Sequence, residues 1–136
     1  MKIIGFNLTK ILVEKEDIHL EKISVNQDIN IKEIKKEKIP ISDTEALKIK
    51  FNLLINYSDK YAKLEFDGNV IILPEKDELK LFLDSWKDKK IPEEVRLPLF
   101  NFIMNKCNIK ALYLEDELSL PFHIPMPRIS TQKQNN

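Results

Sequence analysis

Only one cysteine, Cys107, and only two glycines, Gly5 and Gly68, occur among the 136 residues. One thiol excludes an internal disulfide and a thiolate metal cage, and its place in an apolar helical pattern reads as a buried, inert side chain rather than a nucleophile. Two isolated glycines exclude a glycine-rich phosphate loop, and neither GxSxG nor HExxH occurs. His19 and His123 stand far apart without a cysteine cluster to complete a metal site, and read as surface or strap residues. Glu115, Asp116 and Glu117 are consecutive on a helical pattern, where positions one apart do not face each other. A carboxylate pair assembled only by folding stays open at this level; otherwise no enzyme, metal or cofactor is expected.

Charge of one sign is also missing. Lys and Arg number 22 and Asp and Glu 22, so no global field draws the chain to nucleic acid or to an anionic membrane. Lys32, Lys35, Lys36 and Lys38, like Lys87, Lys89 and Lys90, are interleaved with acids and read as solvated faces. No apolar run reaches bilayer length, and the short one after Lys2 is broken at Asn7, so neither a membrane span nor a signal peptide is expected and the chain reads as cytoplasmic.

What is present is period. Leu47, Ile49, Phe51, Leu53, Ile55 and Tyr57 alternate with mostly polar residues, the signature of a half-buried strand. Ser58-Asp59-Lys60 turns the chain, and Ala62, Leu64 and Phe66 return it. The pair Gly68-Asn69 reads as a further turn before the apolar run Val70 to Leu73. Upstream, Ile4, Phe6 and Leu8 keep one parity and Ile11 and Val13 the other, which requires a bulge or a change of covered face. Ile23, Val25, Ile29 and Ile31 form another strand whose apolar face Gln27 interrupts. Lys35 to Thr44, with Pro40, is a loop or a weakly paired extension. Four consecutive antiparallel strands with short connections predict a meander.

Helical period begins only afterwards. Pro74, Glu75, Asp77 and Glu78 form a start signal before the stripe Leu79, Phe82, Leu83, Trp86. Pro92-Glu93-Glu94 opens a second helix, or two nearly collinear ones, with the stripe Val95, Leu99, Phe102, Ile103, Cys107, Ala111, Leu114 and Leu118. Pro98 should kink it or mark its true first turn. Leu97, Phe100 and Met104 lie off the stripe, so this helix needs more than one neighbour. From Leu118 to Arg128, Pro121, Pro125 and Pro127 forbid helix and central strand. That ribbon is either a strap over the sheet or the wall of an apolar groove. The fold class expected is α+β, a four-stranded antiparallel meander followed by two helices packed on one face. Residues 1–129 are expected to form one domain, large enough to bury roughly two-thirds of its unfolded surface. Residues 130–136 read as a disordered polar tail.

This order of parts resembles the SecB-like superfamily. The resemblance rests on Phe6-Asn7-Leu8-Thr9-Lys10-Ile11, the hairpin Leu47 to Leu73 with Gly68, Trp86, Asn101-Phe102-Ile103, and Leu118-Ser119-Leu120-Pro121. It implies a homo-oligomer, a tetramer in SecB itself, that holds unfolded or precursor polypeptides in apolar grooves without ATP in support of protein transport. Some relatives instead serve toxin and antitoxin systems. The tail here lacks the acids through which SecB engages its motor, so that partner does not carry over and a generic holdase role is the expectation. Clients that share only exposed apolar groups call for adaptable apolar walls, and Phe100, Met104, Tyr113, Leu120, Phe122 and Met126 are the candidate peptide-binding residues. The rival readings are a non-catalytic adaptor with one fixed partner and a nucleic-acid binder using Lys32, Lys35, Lys36 and Lys38, the latter disfavoured by neutral charge.

Overall fold

The computed structural model describes residues 1–40 and 45–129. The sheet is built from β1 (Lys2–Lys15), β2 (Val25–Lys38), β3 (Glu45–Tyr57) and β4 (Ala62–Leu73), followed by α1 (Lys76–Lys87) and α2 (Glu93–Glu117). The expected tail at 130–136 lies outside the described residues, as does the end of the expected loop at 41–44.

The β3–β4 hairpin follows its alternation closely. Its turn, Ser58–Lys60, places Asp59 and Lys60 at φ of 52° and 62°. Leu47, Ile49, Phe51, Leu53 and Ile55 face the same side as Leu64, Phe66, Val70 and Ile72, and all nine are fully buried. Gly68-Asn69 is not a turn; β4 runs through it unbroken. Glycine is needed there for space, since a Cβ would meet Asn7 O at 2.6 Å and Phe51 Cζ at 2.8 Å. The gap lets the Phe51 ring lie across the strand and stack on Phe6 at 5.7 Å, which meets Phe102 of α2 edge-on at 5.9 Å.

The parity change in β1 is met by bulges. Its pairing with β4 shifts between Ile3 and Gly5 and again between Leu8 and Lys10, so that Ile3, Phe6, Leu8, Ile11 and Val13 all stand opposite inward residues of β4. The expected meander is only partly correct. Strand order is β1-β4-β3-β2, so β2 to β4 form a meander while β1 crosses to the far edge, a Greek-key arrangement. The hairpin's two strands are apolar enough to demand cover on both edges, and residues 16–24 are long enough to cross the roughly 14 Å spanned by three strand spacings. That crossing is tied to the hairpin end by Glu16 N–H donating to Tyr61 O (2.8 Å) and Ser58 N–H to Ser24 O (2.9 Å).

Both helices cover the same face. Phe82 of α1 joins Val95, Leu99, Ile103, Cys107 and Ala111 of α2 in one cluster with the inward strand residues. The opposite face is polar: Asn52 donates to Glu65 (2.9 Å) and Asp67 (2.7 Å), and Lys10 donates to Glu65 (2.9 Å). The hydrogen bonds from Lys10 and then Asn52 hold the Glu65 carboxyl below its ordinary range. Helix α1 starts two residues later than Pro74, behind a capping box in which Glu75 and Glu78 exchange side-chain and backbone bonds. Helix α2 starts at Glu93 and continues through Pro98, which is therefore not its first turn. With so little glycine, both helices end on non-glycine residues in the left-handed region, Lys89 at 57° and Ser119 at 54°.

Candidate functional site

Helix α2 lies over the middle of the sheet with a shoulder on each side. Leu99, Ile103, Cys107 and Ala111 point down; burial pushes the Cys107 thiol up to about 11, in keeping with an inert side chain. Phe102 leans toward β1. Phe100, Met104 and Asn108, at i, i+4 and i+8, share the shoulder that faces the opposite edge, β2. Asn108 Oδ1 there accepts from Gln27 Nε2 at 3.0 Å, which explains why Gln27 interrupts the apolar face of its strand.

Between this shoulder and β2 runs a furrow. Its wider end is a hollow of about 510 Å³ formed by Ile29, Asn30 and Ile31 of β2, Trp86 of α1, Ile91 of the connection, and Glu93, Arg96 and Phe100 of α2, with Lys89 and Lys90 at the rim. Ile29 and Ile31 are only half-buried, although their partners on β3, Leu53 and Phe51, are fully buried. The helices thus seal the centre of the sheet and cover both edges less completely, since Ile3, Phe6, Leu8 and Val13 of β1 are half-buried as well; on the β2 side the gap forms the hollow. Two cations lie over its aromatic walls: Lys89 Nζ is 4.7 Å from the Trp86 ring centre and the Arg96 guanidinium 5.7 Å from that of Phe100. Other hollows lie at the hairpin end and on the polar sheet face; each has at most two large apolar or aromatic side chains in its lining, against five, Ile29, Ile31, Trp86, Ile91 and Phe100, in this one.

Further along α2, past the Gln27–Asn108 bond, the helix gives way to the proline ribbon. Leu120 is the apolar residue of the helix-ending turn, its N–H donating to Glu115 O (2.8 Å), and it is buried in the core. It is therefore a strap residue and leaves the set of candidate groove residues. Beyond it Tyr57 donates its hydroxyl to Pro121 O, and Glu115, fully buried, accepts from His123 N–H (3.0 Å) and His123 Nδ1–H (2.6 Å). His123 Nε2 is 2.9 Å from Asn108 Oδ1. Burial, and then the neighbouring Glu115 carboxylate, drive the Tyr57 hydroxyl well above its ordinary range. The expectation that His123 is a strap residue holds, and its side chain is as buried as that of Glu115. This network resembles part of a hydrolase triad, but among the described residues no Ser or Cys nucleophile is bonded to the imidazole; its hydrogen bonds fasten the ribbon.

The remaining candidates fall in three places. Phe100 lines the hollow, whereas Met104, half-buried one turn further along the same shoulder, is not part of its lining. Tyr113 is on the outer surface of α2, 66% exposed, in a stripe with Leu97, Asn101, Asn105 and Ile109. Phe122 and Met126 are exposed on the outward side of the strap, away from the pinned His123. Ile29, Ile31, Trp86, Ile91 and Arg96 were not singled out from the sequence as site residues; the extra apolar faces on α2 were the available signal. Among the described residues no group of three or more His, Cys, Asp or Glu is placed to hold a metal, and no helix is long and apolar enough to cross a membrane.

An edge-bulged Greek-key sheet carrying a short and a long helix on one face defines a class of α+β scaffold. More particularly, the chain has the fold of the SecB-like chaperones. A solved structure of the Mycobacterium tuberculosis SecB-like chaperone Rv1957, in complex with a ChAD peptide from the Rv1956 HigA1 antitoxin, is similar over 95% of this chain and 87% of that one, with a TM-score of 0.53 and 14% identity. No family model matches the chain, and no curated protein matches it in sequence.

Proposed function

We propose that this protein is an ATP-independent, holdase-type molecular chaperone that binds unfolded or precursor polypeptides in the furrow between β2 and α2, as a cytoplasmic homo-oligomer. The observation that carries the reading is the hollow on the β2 side: a strand edge that is unpaired among the described residues, beside half-buried Ile29, Ile31, Trp86, Ile91 and Phe100. An extended client can add main-chain hydrogen bonds to the edge while its apolar side chains enter the hollow. The Mycobacterium tuberculosis chaperone of the same fold, solved in complex with a peptide, supports a polypeptide occupant.

Burying about 400 Å² of apolar client releases about 10 kcal/mol gross, and association takes back about 4–15 kcal/mol. One furrow therefore binds weakly, and several on one particle retain a client by raising its effective concentration. The outer stripe of α2 suits self-association. Leu97 and Ile109 are 69% and 72% exposed, and two copies of α2 laid antiparallel would match Leu97 with Ile109 and Asn101 with Asn105. We take this as one contact of a tetramer.

The test is suppression of aggregation of an unrelated unfolded protein at substoichiometric oligomer, without nucleotide. Ile31→Asp with Phe100→Asp should abolish it while the circular dichroism spectrum is retained; full protection by that variant would overturn the furrow. A second reading, an adaptor for one dedicated peptide, is favoured by the antitoxin peptide bound to the Mycobacterium tuberculosis protein. Protection of a single partner and of no unrelated protein would select it.

A further inference from the structure

The charge around the furrow is not neutral as the chain is. Its rim carries Lys89, Lys90 and Arg96 against the carboxylate of Glu93; Glu33 of β2 also feels the charge of Lys89, but its carboxylate is bonded to Lys35 at 2.9 Å, so cations remain in excess. Arg96 and Glu93 are 3.9 Å apart with side chains 53% and 89% exposed, a loose pair that solvent screens and that a better partner can displace. The dipole of α1 favours cations in its last turn, which accounts for Lys87. It does not account for Arg96, which lies near the N-terminus of α2, where the dipole favours anions. Nor does folding alone favour lysine at position 89, whose φ of 57° glycine would adopt without strain. Both residues rest on aromatic rings that form the walls of the hollow, so their flexible stems cover apolar surface while their charges stay at its mouth.

The β2 edge limits where an added strand can lie. Pairing with β3 shifts between Ile31 and Glu33, so Lys32 is the extra residue of a bulge, and an edge strand is interrupted there. The usable edge is Val25 to Ile31. Its last residues, Ile29 to Ile31, are those beside Trp86, Phe100 and the cations.

We propose that the furrow selects extended segments in which an acidic side chain stands close to an apolar or aromatic one, bound as a fifth strand along Val25 to Ile31. The apolar residue enters between Trp86 and Phe100. The carboxylate draws Arg96 and Lys89 off the rings, with Arg96 able to grip it through two parallel N–H donors. This rests on the polypeptide-binding reading above and adds to it a charge preference.

Trp86 is the only tryptophan in the chain, so its emission reports occupancy of the hollow. Three synthetic nonapeptides alternating Val, Thr and Phe serve as probes, differing only in whether two central positions are Asp, Asn or Lys. The Asp peptide should shift Trp86 emission and bind about tenfold tighter than the Asn peptide at low salt, the advantage shrinking as salt is raised. Arg96→Gln with Lys89→Gln, both at exposed positions, should bring the Asp peptide to the affinity of its Asn counterpart. Equal affinities of the Asp and Asn peptides, or tightest binding by the Lys peptide, would overturn the charge preference while leaving polypeptide binding standing. If no peptide alters Trp86 emission, the placement in this furrow is overturned, and aggregation suppression decides separately whether the chaperone reading survives. Displacement of the Asp peptide by an oligonucleotide but not by excess Asn peptide would also overturn the proposal, since the rim would then be a general polyanion site.

Discussion

Removing the His123 imidazole should destabilise the protein more than any surface change, because it strands a buried carboxylate. The side chains of His123 and Glu115 are 1% and 0% exposed and meet at 2.6 Å. In His123→Ala, Glu115 keeps the backbone N–H of residue 123 and the neighbouring Tyr57 hydroxyl but loses the ring N–H, and Asn108 loses the ring at Nε2. Breaking one side of a buried pair of this kind costs about 3–5 kcal/mol, roughly a fifth or more of the stability of an ordinary domain. The melting temperature should fall by about 10 °C or more. Replacing both partners by leucine removes the stranded charge, but orphans the N–H of residue 123 at about 1–3 kcal/mol, so the double variant should be more stable than His123→Ala. Urea unfolding of the wild type, His123→Leu, Glu115→Leu and the double leucine variant closes a double-mutant cycle whose coupling should exceed about 1 kcal/mol. Hydrogen exchange across residues 118–128 should rise in the single variants. A cost below about 1 kcal/mol for His123→Ala, with unchanged exchange in the strap, would show that the network does not fasten the ribbon.

Gly68→Ala should cost about 3 kcal/mol in urea unfolding, since its Cβ would collide with Asn7 O and the Phe51 ring; a loss under 0.5 kcal/mol would mean the strands part easily there. Stability should fall on the alkaline side. The Cys107 thiol and the Tyr57 hydroxyl both have folded values raised above their unfolded ones, so their contribution is complete below about pH 8.5 and about pH 10 respectively and is lost as pH rises past those points. Urea midpoints from pH 8 to 11 check this, and Tyr57→Phe should flatten the upper part of the decline. In the native protein Cys107 should resist a thiol-specific alkylating reagent at pH 8 and react fully in urea. Leu97→Lys with Ile109→Lys should shift the sedimentation profile toward monomer without altering the circular dichroism spectrum; an unchanged profile would move the self-contact elsewhere.

Much of the local structure was legible in the residues, because strand and helix periods are set by neighbours along the chain. The hairpin alternation from Leu47 to Phe66, the bulge demanded by the parity change after Leu8, and the start of α2 at Glu93 all follow from side chains pointing alternately or every three to four positions. The extra apolar faces of α2 likewise announced that it would need more than the sheet beneath it. Placing β1 beside β4 was not legible, because either edge of the hairpin offered an apolar partner and only the packed whole distinguishes them. Gly68 looked like a turn residue since its reason for being glycine is the Phe51 ring on another strand.

The furrow and the strap belong wholly to the tertiary level. Gln27 and Asn108 are 81 positions apart, and nothing local says that one amide answers the other. Glu115 sits in a run of acids that reads as solvent-facing until His123 folds back against it. Leu120 could be groove or core by composition, and the helix-ending turn that buries it decided the matter. The sequence by itself determined which faces are apolar. Which of them would be sealed, and that the β2 side would stay open, was decided only when two helices too narrow to cover four strands were laid over the middle of the sheet.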